Sequence, residues 1–474
     1  MSGTATLTAP VAARHGTAYY VPEVRISTLD RELKGGREPG NLLPADVLGD
    51  LVHAEVTRVN TGASQYTLTF NNWFLSTAAD RQRQGDAGSG GPRETIDPDN
   101  AARSPFWPRF KYNDFSYLCF GDRLRVEMRY VPEPTAQSES PDAPETSSGG
   151  WTPMVSGPIT DIRFAFATGQ GAQITVSGED DLSDLKEKHE GKVTMNRRPE
   201  IDIVRQTLSK VDYKLPLATP LVDYEPFMTD GNQGINETLA DGQAPLDLIQ
   251  KLADRLDFEI FVEFSDLDDP AAPLEIHFEP YRGRAKPVEN LRPLFLLDRD
   301  RNLLDFNPTI KLADQYARVV VKGRHRDPLL AKEVKGEGTG EIVREELHID
   351  PALDFPLMTG PELREEWFGR GGHNFSIPNQ SNLDDVRADW AAKSAIRKKA
   401  RELFTIEATT LGIPRIRPGR HLEIRGMRAP FDGFYYVTKT VHTLGTDGYR
   451  TRITACRPGM EFPPYVVRRK GASA

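Results

Sequence analysis

Apolar and polar residues alternate in short blocks between positions 411 and 457 of the chain. Such alternation, with turn-forming residues between the blocks, predicts antiparallel strands joined by tight turns. The turn-forming groups are Pro418-Gly419, Phe431-Asp432-Gly433 and Asp447-Gly448. We therefore predict at least three strands and two turns here. The residues that carry this prediction are Pro418, Gly419, Leu422, Ile424, Asp432, Gly433, Tyr435, Val437, Gly448 and Tyr449.

A weaker copy of the same pattern lies much earlier, between positions 121 and 176. The two copies are matched as follows: Gly121, Leu124 and Val126 with Gly419, Leu422 and Ile424; residues 156–159, which include Gly157 and Ile159, with residues 432–435; and residues 174–176 with residues 453–455. A pattern that recurs within one chain indicates an internal duplication. We therefore predict two related β units.

Between the two copies, the hydrophobic period changes from two residues to between three and four. Two helices are predicted by their apolar faces: Ile201, Val204, Leu208 and Val211 behind Pro199, and Leu246, Ile249, Leu252, Ala253 and Leu256 behind Pro245. After the second helix, apolar and polar residues alternate at positions 258–264 and 274–278, as the two strands of a hairpin require. This part of the chain is predicted to be a small α+β module.

The motif order at positions 411–457 resembles the C-terminal tube domain of the phage late control protein D family. These are the baseplate hub proteins of contractile phage tails and contractile injection systems, and the pattern is also similar to the hub part of type VI secretion spike proteins. The segment LIQKLADRLDFEIFVEF, residues 248–264, is similar to the helix and strand between the two tube domains of that family. The resemblance covers residues 21–457.

Taken together, pattern and resemblance predict an α+β fold that is mainly β, with two related antiparallel β-barrel (tube-type) domains. The expected divisions are a flexible N-terminal arm at 1–18; a first tube-type domain at 19–178, with polar insertions at about 76–104 and 132–150; the α+β module at 179–300; a second tube-type domain at 301–460, with an insertion at about 323–382 and a helix at about 383–404; and a C-terminal tail at 461–474. Residues 381–384 form the expected capping box of that helix.

Composition and charge exclude some functions and favour others. The net charge of −9 and the pI near 5.6 argue against a general binder of nucleic acids or anionic membranes, so no sequence-specific nucleic-acid binding is expected. No apolar run approaches the ~18 residues that span a bilayer, and the first residues lack the pattern of a secretory signal. We expect synthesis in the cytoplasm and no membrane insertion.

The sequence contains no pattern that predicts a catalytic, cofactor or metal site. Cys119 and Cys456, each in a predicted strand, show neither disulfide nor metal spacing and are expected to be buried thiols. None of the nine histidines has another at helical ligand spacing; His442 is expected to be a hydrogen-bonded strand residue and His373 a loop residue. The glycine-rich segment 336–340 is expected to be a solvated loop, because no strand, helix and Lys-Ser pattern surrounds it.

One basic run, residues 397–401, has two interpretations. It could contact an anionic partner, or its cations could stabilise the negative end of their own helix by about 0.3–1 kcal/mol each. The sequence alone leaves both open.

The resemblance implies a structural role and not an enzyme. It implies a homotrimeric hub in which three chains present six similar barrels, so that a threefold spike can join a sixfold inner tube. The implied partners are a separate spike protein, inner tube or tube-initiator proteins and baseplate wedge proteins, with channel cargo as a further candidate. The particle would be a virion or an injection system, and the sequence does not distinguish phage from other contractile systems.

Two other classes of function stay open at this stage. A cell-wall or polysaccharide hydrolase with β accessory domains would be a monomer that degrades cell wall. A carbohydrate-binding adhesin would need an aromatic platform, for which the five tryptophans are too scattered in sequence to decide.

Overall fold

The computed structural model describes residues 20–29, 42–72, 110–113, 115, 117–132, 151–166, 171–266, 269, 272–284, 295–325, 332–344 and 357–461. The expected N-terminal arm, the two polar insertions apart from Pro132, and the C-terminal tail apart from Glu461 lie outside these residues.

The described residues of the first β unit form six strands and one short helix. In chain order these are β1 (Tyr20–Thr28), α1 (Ala45–Leu48), β2 (Leu51–Val59), β3 (Gln65–Asn71), β4 (Arg123–Pro132), β5 (Thr152–Ala165) and β6 (Gln173–Glu179). Neighbouring strands pair antiparallel in the order β1-β4-β5-β6-β3-β2. Alternate residues point into a shared core that includes Val56, Leu68 and Val176.

An α+β module follows, with the two helices that the sequence predicts. Its elements are β7 (Val193–Arg198), α2 (Glu200–Lys210), β8 (Ile235–Leu239), α3 (Pro245–Leu256), β9 (Phe258–Phe264) and β10 (Leu274–Pro280). Pro199 precedes α2, and Asp257 ends α3 in the left-handed conformation with φ 57°. β9 and β10 form the expected antiparallel hairpin, and the apolar faces of both helices pack in one core with it.

The second β unit contains the remaining strands and helices. They are β11 (Phe295–Asp298), β12 (Leu303–Ile310), β13 (Tyr316–His325), β14 (Glu333–Thr339), α4 (Glu341–Arg344), β15 (Leu357–Thr359), α5 (Gly360–Phe368), β16 (His373–Leu383), α6 (Asp385–Arg401), β17 (Phe404–Leu411), β18 (His421–Arg425), β19 (Gly433–Gly445), β20 (Gly448–Arg457) and β21 (Gly459–Glu461). Six of these strands pair in the order β11-β18-β19-β20-β17-β12, and β15 pairs with β21.

The two β units therefore have the same strand order, with β1 to β6 corresponding to β11, β12, β17, β18, β19 and β20. One pairing differs, because β1 runs antiparallel to β4 whereas β11 runs parallel to β18. An antiparallel pairing of β2 with β19 joins the two units into one continuous sheet. The predicted fold class, α+β and mainly β with two related units, is confirmed.

The expected insertion in the second unit contains two strands, β14 and β16, that the hydrophobic pattern does not predict. β13 pairs with β14 and β16, and α6 packs on these strands. The segment expected to be a glycine-rich loop lies in β14 and its end. A Cβ atom at Gly336 would stand 1.9 Å from the backbone of Ala388. A Cβ atom at Gly338 would stand 2.7 Å from the main-chain oxygen of Ala392. These glycines let α6 lie directly on the strand.

Three further expectations about local structure were wrong. Ser381 does not cap α6, because the chain is still in β16 there; Asp384 is the cap and accepts from the amide of Arg387 at 2.8 Å. His373 begins β16 and is not a loop residue. Cys119 lies in the irregular segment before β4 and is half-buried, whereas Cys456 is buried in β20 as expected. Short polar runs before a helix fit both a strand end and a cap.

Candidate functional site: the junction of the two β units

The two β units match in individual hydrogen bonds as well as in strand order. Gly121 and Gly419 stand before β4 and β18 with φ of 79° and 78°. The amide of Gly121 donates to the carbonyl of Ile159 at 2.9 Å, and that of Gly419 donates to Val437 at 2.9 Å. In both units the amide of that strand residue, Ile159 or Val437, donates in return to the carbonyl of the residue after the glycine, also at 2.9 Å. The left-handed φ explains why glycine stands at both positions.

A β-bulge recurs at the same place in both units. Pairing skips Thr160 in β5 and Thr438 in β19. The hydroxyl of Thr160 donates to the carbonyl of Ser177 at 3.3 Å, and that of Thr438 donates to Thr454 at 3.1 Å. A second bulge interrupts β2 between residues 51 and 53 and β12 between residues 303 and 305. Matched bulges fix the correspondence of the two units to the residue.

This correspondence corrects two of the matches expected from the sequence. Leu124 pairs with Gly157, and Leu422 pairs with Tyr435, so Gly157 corresponds to Tyr435 and not to Gly433. Residues 174–176 likewise correspond to residues 451–453. The match of Gly121, Leu124 and Val126 with Gly419, Leu422 and Ile424 agrees with the strand pairing. A shift of two residues preserves the in-out alternation of a strand, so the hydrophobic pattern could not detect the error.

The structure places the residues singled out from the sequence in turns and strand interiors. Leu124, Val126 and Ile159 lie in the first core, and Leu422, Ile424, Tyr435 and Val437 lie in the second. Pro418 and Gly419 precede β18, Asp432 precedes β19 and Gly433 begins it, and Gly448 and Tyr449 begin β20 after the turn. Gly157 permits a close backbone approach, because a Cβ there would stand 1.8 Å from the carbonyl oxygen of Glu179.

The junction itself is an antiparallel pairing of residues 54–59 with residues 439–444. The amide of Asn60 extends it by donating to the carbonyl of Thr438 at 3.1 Å. Val56 and His442 face each other across the pair and are fully buried. The first and second β units thus share one hydrogen-bonded sheet and not only a packed surface.

His442 is a hydrogen-bonded strand histidine, as the sequence analysis expected. Its Nε2–H donates to the carbonyl of Ile416 at 3.0 Å, and its Nδ1 accepts from the hydroxyl of Tyr449 at 2.9 Å. Burial lowers the pKa of His442 to about 3. The ring is therefore neutral near pH 7, with both nitrogens engaged in the fold.

Beneath the junction, a buried carboxylate joins the two β units to the α+β module. Glu263 of β9 accepts from Arg58 of β2 at 2.7 Å and from Arg417, just before β18, at 2.9 Å. Burial raises the pKa of Glu263, but the positive charges of Arg58 and Arg417 outweigh burial and hold its pKa well below the ordinary value. The two guanidinium groups also donate to carbonyls of Pro153 and Met154 in β5.

A second buried carboxylate, Glu259, has fewer charges around it. It accepts from the hydroxyl of Tyr436 at 2.8 and 2.7 Å, from the side-chain amide of Asn60, and from the amide of Arg282 at 3.1 Å. Burial raises the pKa of Glu259 to about 7 despite these hydrogen bonds. Glu259 therefore titrates near neutral pH at the point where the module meets β19.

The basic end of α6 binds the module within the same chain. Arg401 makes two hydrogen bonds to Asp257, the residue that ends α3, at 2.6 and 2.7 Å. Lys398 donates to the carboxylate of Asp254 at 3.0 Å, and Lys399 donates to Glu402. These three cations are paired with carboxylates of the same chain. For them, the structure does not support the interpretation of this run as a contact for an anionic partner.

The junction holds three parts of the chain together: the two β units and the α+β module. Its charged groups bind one another and main-chain carbonyls. Within the described ranges, no group of three His, Cys, Asp or Glu side chains could hold a metal ion. No helix in that part of the chain is both long and apolar enough to cross a membrane.

Comparison with known proteins gives no match to a family model and none to a curated protein. Among solved structures, the chain is similar to the 43 kDa tail protein of prophage MuSo2 from Shewanella oneidensis, with 12% identity and a TM-score of 0.54 over 92% of this chain and 98% of that one. It is also similar to a tail protein from Neisseria meningitidis MC58, with 10% identity and a TM-score of 0.52 over 92% and 96%. At these identities the likeness shows a shared fold.

Proposed function

We propose that this chain is the structural baseplate hub of a contractile tail or injection system, a homotrimeric adaptor that joins a threefold spike to a sixfold inner tube. The observation that carries the proposal is the repeated strand order, β1-β4-β5-β6-β3-β2 and β11-β18-β19-β20-β17-β12, within one polypeptide. Three copies in a closed ring present six similar β units, which is the number that a sixfold tube has to meet.

The buried network supports this role because it fixes the two units relative to each other. Glu263 binds an arginine from each unit, and β2 continues the sheet through β19. An adaptor that imitates sixfold symmetry needs the two units of one chain in a fixed relation. The shared fold with two tail proteins, one of them from a prophage, agrees with a structural part in such a particle.

The further partners are proposed on the same basis. They are a separate spike protein, inner tube or tube-initiator proteins, baseplate wedge proteins and channel cargo. The division into two tube-type domains around an α+β module goes with the proposal, with the second unit beginning at β11. No catalytic step is part of the role.

The test is the mass and symmetry of the purified protein. Multi-angle light scattering should give about three times 52.9 kDa, and averaged electron micrographs should show a ring with six similar lobes. A monomer at all concentrations, or a ring without six lobes, contradicts the proposal. Turnover of peptidoglycan by a monomer would favour the hydrolase alternative instead.

A further inference from the structure

We propose that the outer edge of β12 in one copy pairs antiparallel with the C-terminal half of β5 in the next copy, in the register that β2 and β19 adopt within one chain. This inference rests on the proposed ring and specifies how its subunits join. The partner is a second copy of this chain, and the contact is a shared sheet.

The correspondence of the two units carries the argument. β12 is the counterpart of β2, and β5 is the counterpart of β19, each with a bulge at the matching position. Within the chain, β2 and β19 pair with each other. Their counterparts, β12 and β5, are left without this pairing among the strands that the structure describes.

Both counterpart edges face outward. β12 pairs with β17 on one side, where the amide of Lys311 donates to the carbonyl of Leu403 at 2.8 Å. Because backbone groups alternate sides along a strand, those of Phe306, Pro308 and Ile310 point to the other edge. In β5, residues 161–165 pair with β6 on one side, and the opposite side holds no described strand, at the place where β19 holds β2.

The exposure of these residues differs sharply from that of their counterparts. Val56 in β2 is 0% exposed, whereas its counterpart Pro308 in β12 is half-buried. Arg58 in β2 is 4% exposed, whereas its counterpart Ile310 in β12 is 37% exposed. Phe166, just after β5, is 55% exposed. Large apolar side chains on unpaired strand edges favour addition of another strand.

Transferring the inner register predicts which residues meet. The expected pairs are Asp161 with Lys311, Ile162 with Ile310, Arg163 with Thr309, Phe164 with Pro308, and Ala165 with Asn307. Opposite charges face each other in the first pair, and apolar side chains face each other in the second and fourth. Such cross-strand pairs stabilise a sheet.

Pro308 makes this edge less open to unspecific strand addition. Its outward position offers a carbonyl but no amide hydrogen, so the ladder between copies has one donor fewer than the inner ladder. A proline at an exposed edge discourages indiscriminate strand addition. The side-chain pairs are therefore expected to select the partner.

The pairing explains how a ring can close. It joins two different surfaces of the same chain, which is a head-to-tail contact and generates a ring when the rotation closes. In a ring of three, junctions within chains and junctions between chains alternate. All six neighbouring β units are then joined by the same strand geometry.

The test is a disulfide between copies, made in the full chain with Cys119→Ser as background. Arg163 and Thr309, both exposed, are predicted to form a non-hydrogen-bonded pair, with Cα atoms about 4.5 Å apart, a spacing that a disulfide can bridge. The double variant Arg163→Cys/Thr309→Cys should give covalent dimers and trimers on oxidation. Neither single variant should do so.

A shifted pair provides the matched control. In Arg163→Cys/Asn307→Cys the thiols would be diagonal neighbours about 7–8 Å apart, so its yield should be about tenfold lower. A trimer by light scattering without the 163–309 cross-link, or with equal yields for both pairs, would overturn the strand pairing while leaving the hub proposal intact. A monomer without cross-links would overturn both.

Discussion

The carboxylate of Glu263 is expected to stabilise the whole junction, and Glu263→Gln tests this with almost no change in shape. The substitution leaves Arg58 and Arg417 buried without the charge that neutralises them. Glu263 accepts two charge-assisted hydrogen bonds, at 2.7 and 2.9 Å, and each contributes about 1.5–3 kcal/mol. Because removing one partner of a buried ion pair costs about 3–5 kcal/mol, we expect a loss of that size in the free energy of unfolding.

Urea unfolding followed by circular dichroism measures this loss, with Glu407→Gln as the matched control. Glu407 is exposed on β17, so its substitution should change stability by no more than about 0.5 kcal/mol. The pKa of Glu263 is depressed in the folded state. Its contribution is therefore present above the unfolded pKa of about 4.3 and declines as the pH falls below it. Equal stability of the two variants at pH 7 would refute the reasoning.

Three further predictions address other parts of the chain. Gly336→Ala should destabilise the protein by about 1–3 kcal/mol through overpacking against α6, whereas Gly340→Ala, where a Cβ has room, should be nearly neutral in the same urea assay. The pKa of Glu259 is raised to about 7, so the folded protein binds this proton more tightly than the unfolded chain, and the contribution of Glu259 to stability falls as the pH rises from about 4 to 7. Glu259→Gln should therefore be more stable than the unsubstituted protein at pH 8 and lose this advantage at pH 4 to 5. An advantage independent of pH would contradict the pKa assignment. Asp161→Lys should lower the association constant of the ring, measured by sedimentation, up to about fivefold per contact between copies. The double variant Asp161→Lys/Lys311→Asp should restore association. Unchanged association in the single variant would contradict the pairing.

Hydrophobic periodicity predicted those elements that have one buried face. α3 follows its pattern because its apolar residues point to one core. The pattern also detected the internal duplication through Gly121 and Gly419, where only glycine adopts the backbone conformation readily. The pattern did not determine the alignment of the two copies along each strand, since apolar residues that recur every second position look the same after a shift of two residues.

The buried network could not be predicted from the same patterns. Glu259 and Glu263 alternate with apolar residues, as on a strand with one face in water, yet both faces of β9 are buried. Their partners, such as Arg58 and Arg417, are distant in sequence and come together only through the pairing of β2 with β19. The one local signal was the presence of two glutamates in an otherwise apolar strand. A strand with one solvated face has the same sequence pattern.

The junction of β2 with β19 also affects how this protein can fold during its synthesis. Val59 pairs with Lys439, which is 439 − 59 = 380 positions later. At about 5–20 residues per second, translation needs roughly 20–80 s to cover that distance. Throughout this interval the nascent chain carries an uncovered apolar strand edge, which invites aggregation. Chaperones that stay bound until the last strands emerge would therefore protect the nascent chain from aggregation.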